Sequence, residues 1–127
     1  MLSNSETFSG FSVDDIDRAA EFYEKALGLE VARQGPGLSL HTAGGNDVFV
    51  YPKADHQPAT FTVLNFQVPD IEEAVTGLRD RGIEFERYEG TEIETDSSGI
   101  FRGGGPLIAW FKDPAGNVLA VIEEGSG

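Results

Sequence analysis

An internal repeat constrains the fold of this 127-residue chain more than any other feature of its sequence. One nine-residue pattern, F-x-V-x-D-I-[DE]-x-A, occurs at 11–19 and again at 66–74. Two further pairs match in the same order: GLEV with GIEF, and the Gly-Asn before DVFVY with the Gly-Asn before VLAVI. Matches that recur in order predict two copies of one supersecondary unit.

Each copy predicts a first strand, one helix and three further strands. Alternating apolar and polar residues place the first strand near Thr7–Val13 in one copy and near Phe61–Val68 in the other. The later strands are placed near Leu29–Arg33, Leu38–Thr42, Val48–Tyr51, Glu84–Tyr88, Leu107–Phe111 and Val118–Ile122. A stretch rich in Gly, Ser and Thr, from Glu89 to Gly105, is predicted to be a long loop of the second copy.

The helices have sequence signals at both ends. Asp15 and Asp70 are the predicted N-caps, because a carboxylate there accepts hydrogen bonds from free backbone N–H groups. Gly28 and Gly82 are the predicted ends, where a left-handed residue is easiest for glycine. The sequence therefore predicts an α+β fold in a single domain, 1–127, made of two βαβββ modules at 6–52 and 61–124.

Charge and composition exclude several classes of partner. Acidic residues outnumber basic ones by 22 to 9, which gives a net charge of -13. We expect such a chain to repel nucleic acid and anionic membranes, so neither is expected as a partner. The chain has no cysteine, which removes thiolate chemistry and fits a reducing compartment. Because neither a signal peptide nor a spanning apolar stretch is recognisable, we expect a cytoplasmic protein.

Three segments of the chain resemble the vicinal oxygen chelate superfamily. They are FSVDDIDRAAEFYEKALGLEV, FQVPDIEEAVTGLRDRGIEF and WFKDPAGNVLAVIEE, which together cover much of the repeat. The superfamily includes glyoxalase I, extradiol dioxygenases, and the fosfomycin and bleomycin resistance proteins. The resemblance implies paired βαβββ modules, with one helix each, whose mixed sheets curl into a cup around a ligand. It also implies a homodimer.

In metal-dependent members of that superfamily, the ligands lie on the first and last strands of each module. The matching positions of this chain are Phe8, Val63, Ala120 and either Phe49 or Val50. A metal ion needs several oxygen or nitrogen donors, and these side chains have none. We therefore expect no metal and no cofactor.

The same resemblance and the alternation of strand residues predict a mostly apolar ligand site. The expected ligand-binding residues are Phe8, Ser12, Val50, Val63, Asn65, Gln67, Arg102, Trp110 and Ala120. Arg102 would reach an anionic ligand from the rim, but a surface salt bridge in an acidic protein is the favoured interpretation of this residue. The alternative is that these side chains pack together as core.

Three functions are compatible with the sequence. The first is a metal-free protein of the bleomycin-resistance type that binds a small aromatic or amphipathic molecule. The second is a glyoxalase-like or dioxygenase-like enzyme with an unrecognised site, in which His41 would be the candidate residue. The third is a non-catalytic scaffold whose cup is filled by its own side chains. No nucleophile and base pair identifies catalytic residues, and His56 is expected to be a solvated loop residue.

Overall fold

The computed structural model describes residues 1–88 and 90–124. The chain divides into two compact units, Met1–Pro58 and Ala59–Gly127, and each is described by itself. Glu89, at the start of the predicted insertion, lies outside the described residues. Within the part of the chain that is described, no helix is long and apolar enough to cross a membrane.

Unit 1 contains one helix and one four-stranded mixed sheet. A 3₁₀ turn, Leu2–Asn4, comes before the sheet. The elements that follow are β1 (Ser9–Val13), α1 (Ile16–Glu21), a π-helical continuation (Phe22–Ala26), β2 (Glu30–Gln34), β3 (Gly37–His41) and β4 (Val48–Pro52). The strand order is β1-β4-β3-β2. The pairing of β1 with β4 is parallel, whereas the other two pairings are antiparallel.

The two sides of this sheet differ because strand residues alternate between faces. One face lies against the helix, where the rings of Phe11 on β1 and Tyr23 stand 6.1 Å apart. The side chains of this face are buried: Phe11, Val13, Leu38, Leu40, Val48 and Val50. The intervening residues of the same strands lie on the other side, which we call the open face of unit 1.

Unit 2 repeats this architecture. Its elements are β5 (Thr62–Val68), α2 (Ile71–Asp80), β6 (Ile100–Phe101), β7 (Ile108–Lys112) and β8 (Val118–Glu123). The strand order is β5-β8-β7-β6, with β5 parallel to β8 and the remaining pairs antiparallel. The helix buries Ile71 and Val75, and the sheet buries Phe111 and Leu119 among its apolar residues. The α+β class and the paired β-α-β-β-β arrangement predicted from the sequence are confirmed.

Both helices begin and end where the sequence predicts. The carboxylate of Asp15 accepts hydrogen bonds of 3.1 Å from the backbone N–H groups of Asp17 and Arg18. The carboxylate of Asp70 accepts a bond of 3.2 Å from the N–H of Glu73. Gly28 and Gly82 follow the helices with φ angles of 72° and 89°. These values lie in the left-handed region that glycine reaches without a steric penalty.

The strand predicted at Glu84–Tyr88 is wrong. Only Phe85 of that segment forms a β-bridge, with Phe111, and the N–H of Glu86 donates to the carbonyl of Trp110 over 2.7 Å. The rest of the β7 edge is occupied by β6, which lies inside the predicted loop insertion. Two short segments therefore share one edge of β7, and neither is long enough to show strand alternation in the sequence.

A turn within that loop directs the chain back to the sheet. The Asp96 carboxylate accepts hydrogen bonds from the backbone N–H groups of Ser98 (2.8 Å) and Ile100 (3.0 Å). An aspartate that binds backbone groups further along the chain is typical of a tight turn. This turn positions Ile100, which is 1% exposed, against Ala109 of β7.

Candidate functional site

The centre of the open face of unit 1 is a row of three residues on neighbouring strands. Gly10 of β1 pairs with Phe49 of β4, and Phe49 pairs with Ser39 of β3. Val50 pairs instead with Phe11 and is fully buried on the helix-covered face. Of the two alternatives left by the sequence, it is therefore Phe49 that lies on the open face. The choice of Val50 as a ligand-facing residue is corrected, because strand alternation places it in the core.

A cavity of about 290 Å³ lies on this face. Its lining residues are Phe8, Gln34, Ser39, Asp47 and Phe49. Phe8 is 73% exposed, so its ring offers a free apolar surface at the cavity. The sequence predicted Phe8, and named Phe49 as an alternative, but Gln34, Ser39 and Asp47 were missed. The available signal was the alternation of β3, which places Ser39 and His41 on the same face.

Asp47 is the centre of a small polar network at the cavity. Its Oδ1 lies 2.8 Å from Nδ1 of His41, and its Oδ2 accepts a hydrogen bond of 3.0 Å from the Ser39 hydroxyl. The hydrogen bond with His41, and then that from Ser39, hold the pKa of Asp47 below its ordinary value. Because an ionised carboxylate has no proton to donate, the proton of the His41 contact lies on Nδ1. The network therefore presents an ionised, oriented carboxylate to the cavity.

The second histidine of the chain also contacts the open face of unit 1. Nδ1 of His56 lies 2.6 Å from the hydroxyl of Ser12, and His56 is partly buried. The expectation that His56 is simply a solvated loop residue is therefore corrected. The two residues are separated by 44 positions, so the sequence pattern gave no sign of the contact.

Unit 2 presents a different set of side chains on its corresponding face. Asn65 of β5 pairs with Ala120 of β8, and Ala120 pairs with Trp110 of β7. The rings of Tyr88 and Phe101 lie 5.3 and 6.2 Å from that of Trp110. Ala120 is fully buried, whereas Asn65 is exposed. This face therefore combines an aromatic cluster with a small residue and an amide.

A β-bulge at the start of β5 changes the position of Val63. The register shifts between Thr62, which pairs with Val118, and Leu64, which pairs with Leu119. Val63 is the extra residue in this shift, so it does not continue the alternation of Asn65 and Gln67. The hydroxyl of Thr62 accepts a 3.1 Å hydrogen bond from the Trp110 ring nitrogen. The structure thus brings Thr62 into contact with Trp110, whereas Val63, predicted as a ligand-binding residue, lies at the bulge.

Arg102, predicted to reach an anionic ligand or to form a surface salt bridge, forms two salt bridges. Its Nε lies 2.7 Å from Asp96 Oδ2, and a terminal nitrogen lies 2.8 Å from Glu72 Oε1. The hydrogen bond to Asp96 is the main cause that raises the pKa of Arg102. These contacts connect β6 and its turn to α2, which favours the structural role.

The side chains do not fit the metal centre that the family resemblance implies. The matching positions carry phenyl, isopropyl and methyl groups, which cannot donate an electron pair. Across residues 1–88 and 90–124, no three His, Cys, Asp or Glu side chains form a group that could hold a metal ion.

Solved structures that resemble this chain share its fold. A glyoxalase family protein from Enterococcus faecalis is 22% identical over 97% of this chain and 100% of that chain, with a TM-score of 0.68. TnmS3, an antibiotic binding protein from Streptomyces sp. CB03234, is 19% identical over 94% and 97%, with a TM-score of 0.66. Lactoylglutathione lyase from Agrobacterium tumefaciens is 20% identical over 95% and 94%, with a TM-score of 0.65.

No curated protein matches the sequence closely enough to be counted as a relative. At identities this low, the structural likeness establishes the fold and leaves the activity open. The family model described as Glyoxalase/Bleomycin resistance protein/Dioxygenase superfamily matches residues 10–121, and the chain therefore belongs to this superfamily.

Proposed function

We propose that this protein binds a small aromatic or amphipathic organic molecule without the help of a metal ion. The cavity on the open face of unit 1 is the observation that carries this proposal. Two phenyl groups line it together with one amide, one hydroxyl and one carboxylate. Apolar walls with a few polar groups are typical of small-molecule sites, and about 290 Å³ lies just below their usual range of about 300–1,000 Å³.

The chemistry of the superfamily positions supports the metal-free part of the proposal. Where metal-dependent relatives have donor side chains, this chain has Phe8, Phe49, Val63 and Ala120. Two of these, Phe8 and Phe49, line the cavity. A metal ion placed against phenyl rings alone would lose its water ligands without gaining oxygen or nitrogen donors. The likeness to an antibiotic binding protein is consistent with a binding role.

A matched pair of phenylalanine variants tests the ligand site. A library of small aromatic compounds is first screened by the shift in melting temperature, because a ligand that prefers the folded state stabilises it. For the compounds found, Phe8→Ala should weaken binding about tenfold, since it removes a large apolar contact. Phe61→Ala is the control, because Phe61 is 69% exposed and is not among the residues lining the cavity. Equal losses in both variants, or no compound that binds, would contradict the proposal.

Elemental analysis tests the metal-free part separately. Protein purified without chelator should hold far less than one zinc, nickel, manganese or iron per chain. Added metal should leave the melting temperature unchanged, whereas saturation at 100 times Kd would stabilise the fold by about 2.7 kcal/mol. One metal per chain that is lost in a His41→Ala variant would refute this part of the proposal.

The His41–Asp47 contact favours an enzyme as a second candidate. A histidine whose Nδ1–H is held by a carboxylate has an oriented Nε2, as general bases require. Under this candidate, His41→Gln would abolish turnover of a bound compound while leaving its affinity within about twofold. Under the binding proposal, the bound compound is recovered chemically unchanged from the parent protein.

We also propose that the protein forms a homodimer and is located in the cytoplasm. The outer strands of the sheets, such as β1 and β5, have one edge each without a partner strand in the described units, and such edges favour association. Sedimentation should give a species of twice 13.7 kDa at micromolar concentration. A clean monomer under those conditions would exclude the dimer without affecting the ligand site.

A further inference from the structure

We propose that the cavity of unit 1 selects an organic cation, an aromatic or apolar body that carries a protonated amine or quaternary ammonium, with Asp47 as its counter-charge. This inference rests on the proposed ligand-binding function and names the chemical class of the ligand. It is carried by the geometry of Asp47, by the rings beside it, and by the ion pairs that hold Arg33 and Lys53 on other carboxylates.

The carboxylate of Asp47 is fixed in position and keeps its negative charge. The Ser39 hydroxyl and the His41 ring each hold one of its oxygens, and the Asp47 side chain is still 45% exposed. An ionised carboxylate can accept about four hydrogen bonds, so both oxygens can accept a further donor from a ligand. A preoriented carboxylate that retains accepting capacity suits a charged N–H donor.

The aromatic lining favours the same class of ligand. The faces of phenyl rings carry negative electrostatic potential and attract organic cations within about 6 Å. Phe8 and Phe49 both line the cavity, and the largely exposed Phe8 can stack on an aromatic body. Gln34 adds an amide oxygen that can accept a second hydrogen bond. The phenyl faces and the Asp47 carboxylate disfavour an anion, whereas the Gln34 amide can bind either charge.

Arg33 and Lys53 form their described ion pairs with carboxylates other than Asp47, whose own described partner is the His41 ring. Arg33 pairs with Leu38 in the β2–β3 register, so it lies on the helix-covered side, where it bonds to Asp17 over 2.9 Å. Lys53 is salt-bridged to Asp55. None of the five residues lining the cavity is basic. The net charge of -13 further raises the local concentration of cations.

Three naphthalene probes of similar size and different charge test the inference. They are 2-naphthylmethylamine, which is protonated at neutral pH, 2-naphthylmethanol, which is neutral, and 2-naphthoate, which is an anion. Calorimetric titration of the parent protein should show the amine binding about tenfold more tightly than the alcohol, because both can donate a hydrogen bond to the carboxylate but only the amine brings a positive charge to it. The anion should bind most weakly. Rising salt should weaken binding of the amine and leave that of the alcohol unchanged.

Two variants test whether the preference for the amine over the alcohol depends on Asp47. Asp47→Asn should reduce the amine to within about twofold of the alcohol, because it removes the charge and keeps the shape. Asp55→Asn, which removes another carboxylate of unit 1, should keep the preference. Equal affinities for amine and alcohol in the parent protein would refute the inference and leave the proposed function standing. If none of the three probes binds, both are refuted. If Asp47→Asn does not fold, the salt dependence of binding tests the inference in the parent protein. Affinity for the amine that falls no more with salt than affinity for the alcohol would refute it.

Discussion

The open faces of the two units carry the same three-strand row with its large and small residues exchanged. In unit 1 the row reads Gly10, Phe49 and Ser39, so the bulky ring lies on the fourth strand. In unit 2 the corresponding row reads Asn65, Ala120 and Trp110. The bulky ring therefore lies on β7, the neighbour of β8, and β8 is the counterpart of β4. One backbone plan therefore supports two different surfaces, because a sheet constrains the position of each side chain and leaves its size open.

The helix-covered faces of the two units differ much less. The row of unit 1 is Phe11, Val50 and Leu38, and that of unit 2 is Phe66, Val121 and Ala109. All six are apolar, as packing against a helix requires. The comparison teaches that the repeat is retained where the side chains hold the fold. The faces that differ are those available for binding.

The largest expected effect separates the two faces of unit 2. Phe111 is fully buried on the helix-covered face, with its ring 5.5 Å from that of Phe85. Phe111→Ala should therefore lower the free energy of unfolding by about 3–5 kcal/mol. Trp110→Ala, on the open face, should cost clearly less because Trp110 is only partly buried. Urea denaturation measures both. If Trp110→Ala costs more, the open face of unit 2 is core, as a scaffold with a filled cup requires.

An intermediate effect is expected when the row of unit 1 is built into unit 2. Ala120→Phe adds a ring at a fully buried position beside Trp110, which should cost about 1–3 kcal/mol through overpacking. Adding Trp110→Ser should recover part of that loss, because the removed ring provides room for the new one. A double-mutant cycle on melting temperatures measures the coupling. An Ala120→Phe variant as stable as the parent would show that unfilled space exists there.

The N-caps should show how similar the helices of the two units are. Asp15→Ala and Asp70→Ala should each cost about 0.5–2 kcal/mol, because each leaves helix N–H groups without an acceptor. Asp15 accepts from two backbone groups and Asp70 from one, so the first variant should cost more. Asp14→Ala is the control, as Asp14 is exposed and precedes the cap. A loss at Asp14 equal to that at Asp15 would mean that net charge, rather than capping, sets the effect.

The smallest expected effect is the pH dependence that the Asp47 carboxyl of unit 1 contributes. The hydrogen bonds from His41 and Ser39 lower the folded-state pKa of Asp47 from its ordinary value of 3.8. The stability that Asp47 contributes is therefore fully present above that ordinary value, and it is lost as pH falls through the lower, folded-state value. The difference in stability between the parent and Asp47→Asn should be constant at neutral pH and should shrink only in this acidic window.

Acid titration of thermal stability checks this dependence. The variant Asp55→Asn provides the comparison. The pKa of Asp55 is also lowered, chiefly by its hydrogen bond to Lys53. A difference between parent and Asp47→Asn that vanishes well above pH 3.8 would contradict the assignment to this carboxylate.

The parts of the fold that depend on short-range chemistry could be predicted from the sequence. A cap such as Asp15 and a terminator such as Gly28 act within one helical turn, so their effect is visible in a short stretch. The duplicated pattern then gave the architecture, because the second copy repeats the order of the first. The boundaries of most strands agree with the structure to within one or two residues.

The parts that depend on pairing between distant segments could not be predicted. The choice between Phe49 and Val50 needed the register of β4 against β1 and β3, which the extra Asp47 obscured. The displacement of Val63 needed the bulge in β5, which has no composition signal in that strand. Part of the cavity could not be predicted because Asp47 comes from a turn. Turn residues do not follow strand alternation, so the sequence does not show on which side of the sheet such a residue lies.

The parallel pairing in each unit joins its first strand to its last. The two ladders end in equivalent bonds, from the N–H of Lys53 to the carbonyl of Val13 and from that of Glu124 to the carbonyl of Val68, both 2.9 Å long. On the ribosome, therefore, neither sheet can be completed until its final strand has left the exit tunnel. Unit 1 can close while unit 2 is still being translated, so the duplicated plan gives this chain an order of assembly from the N-terminus.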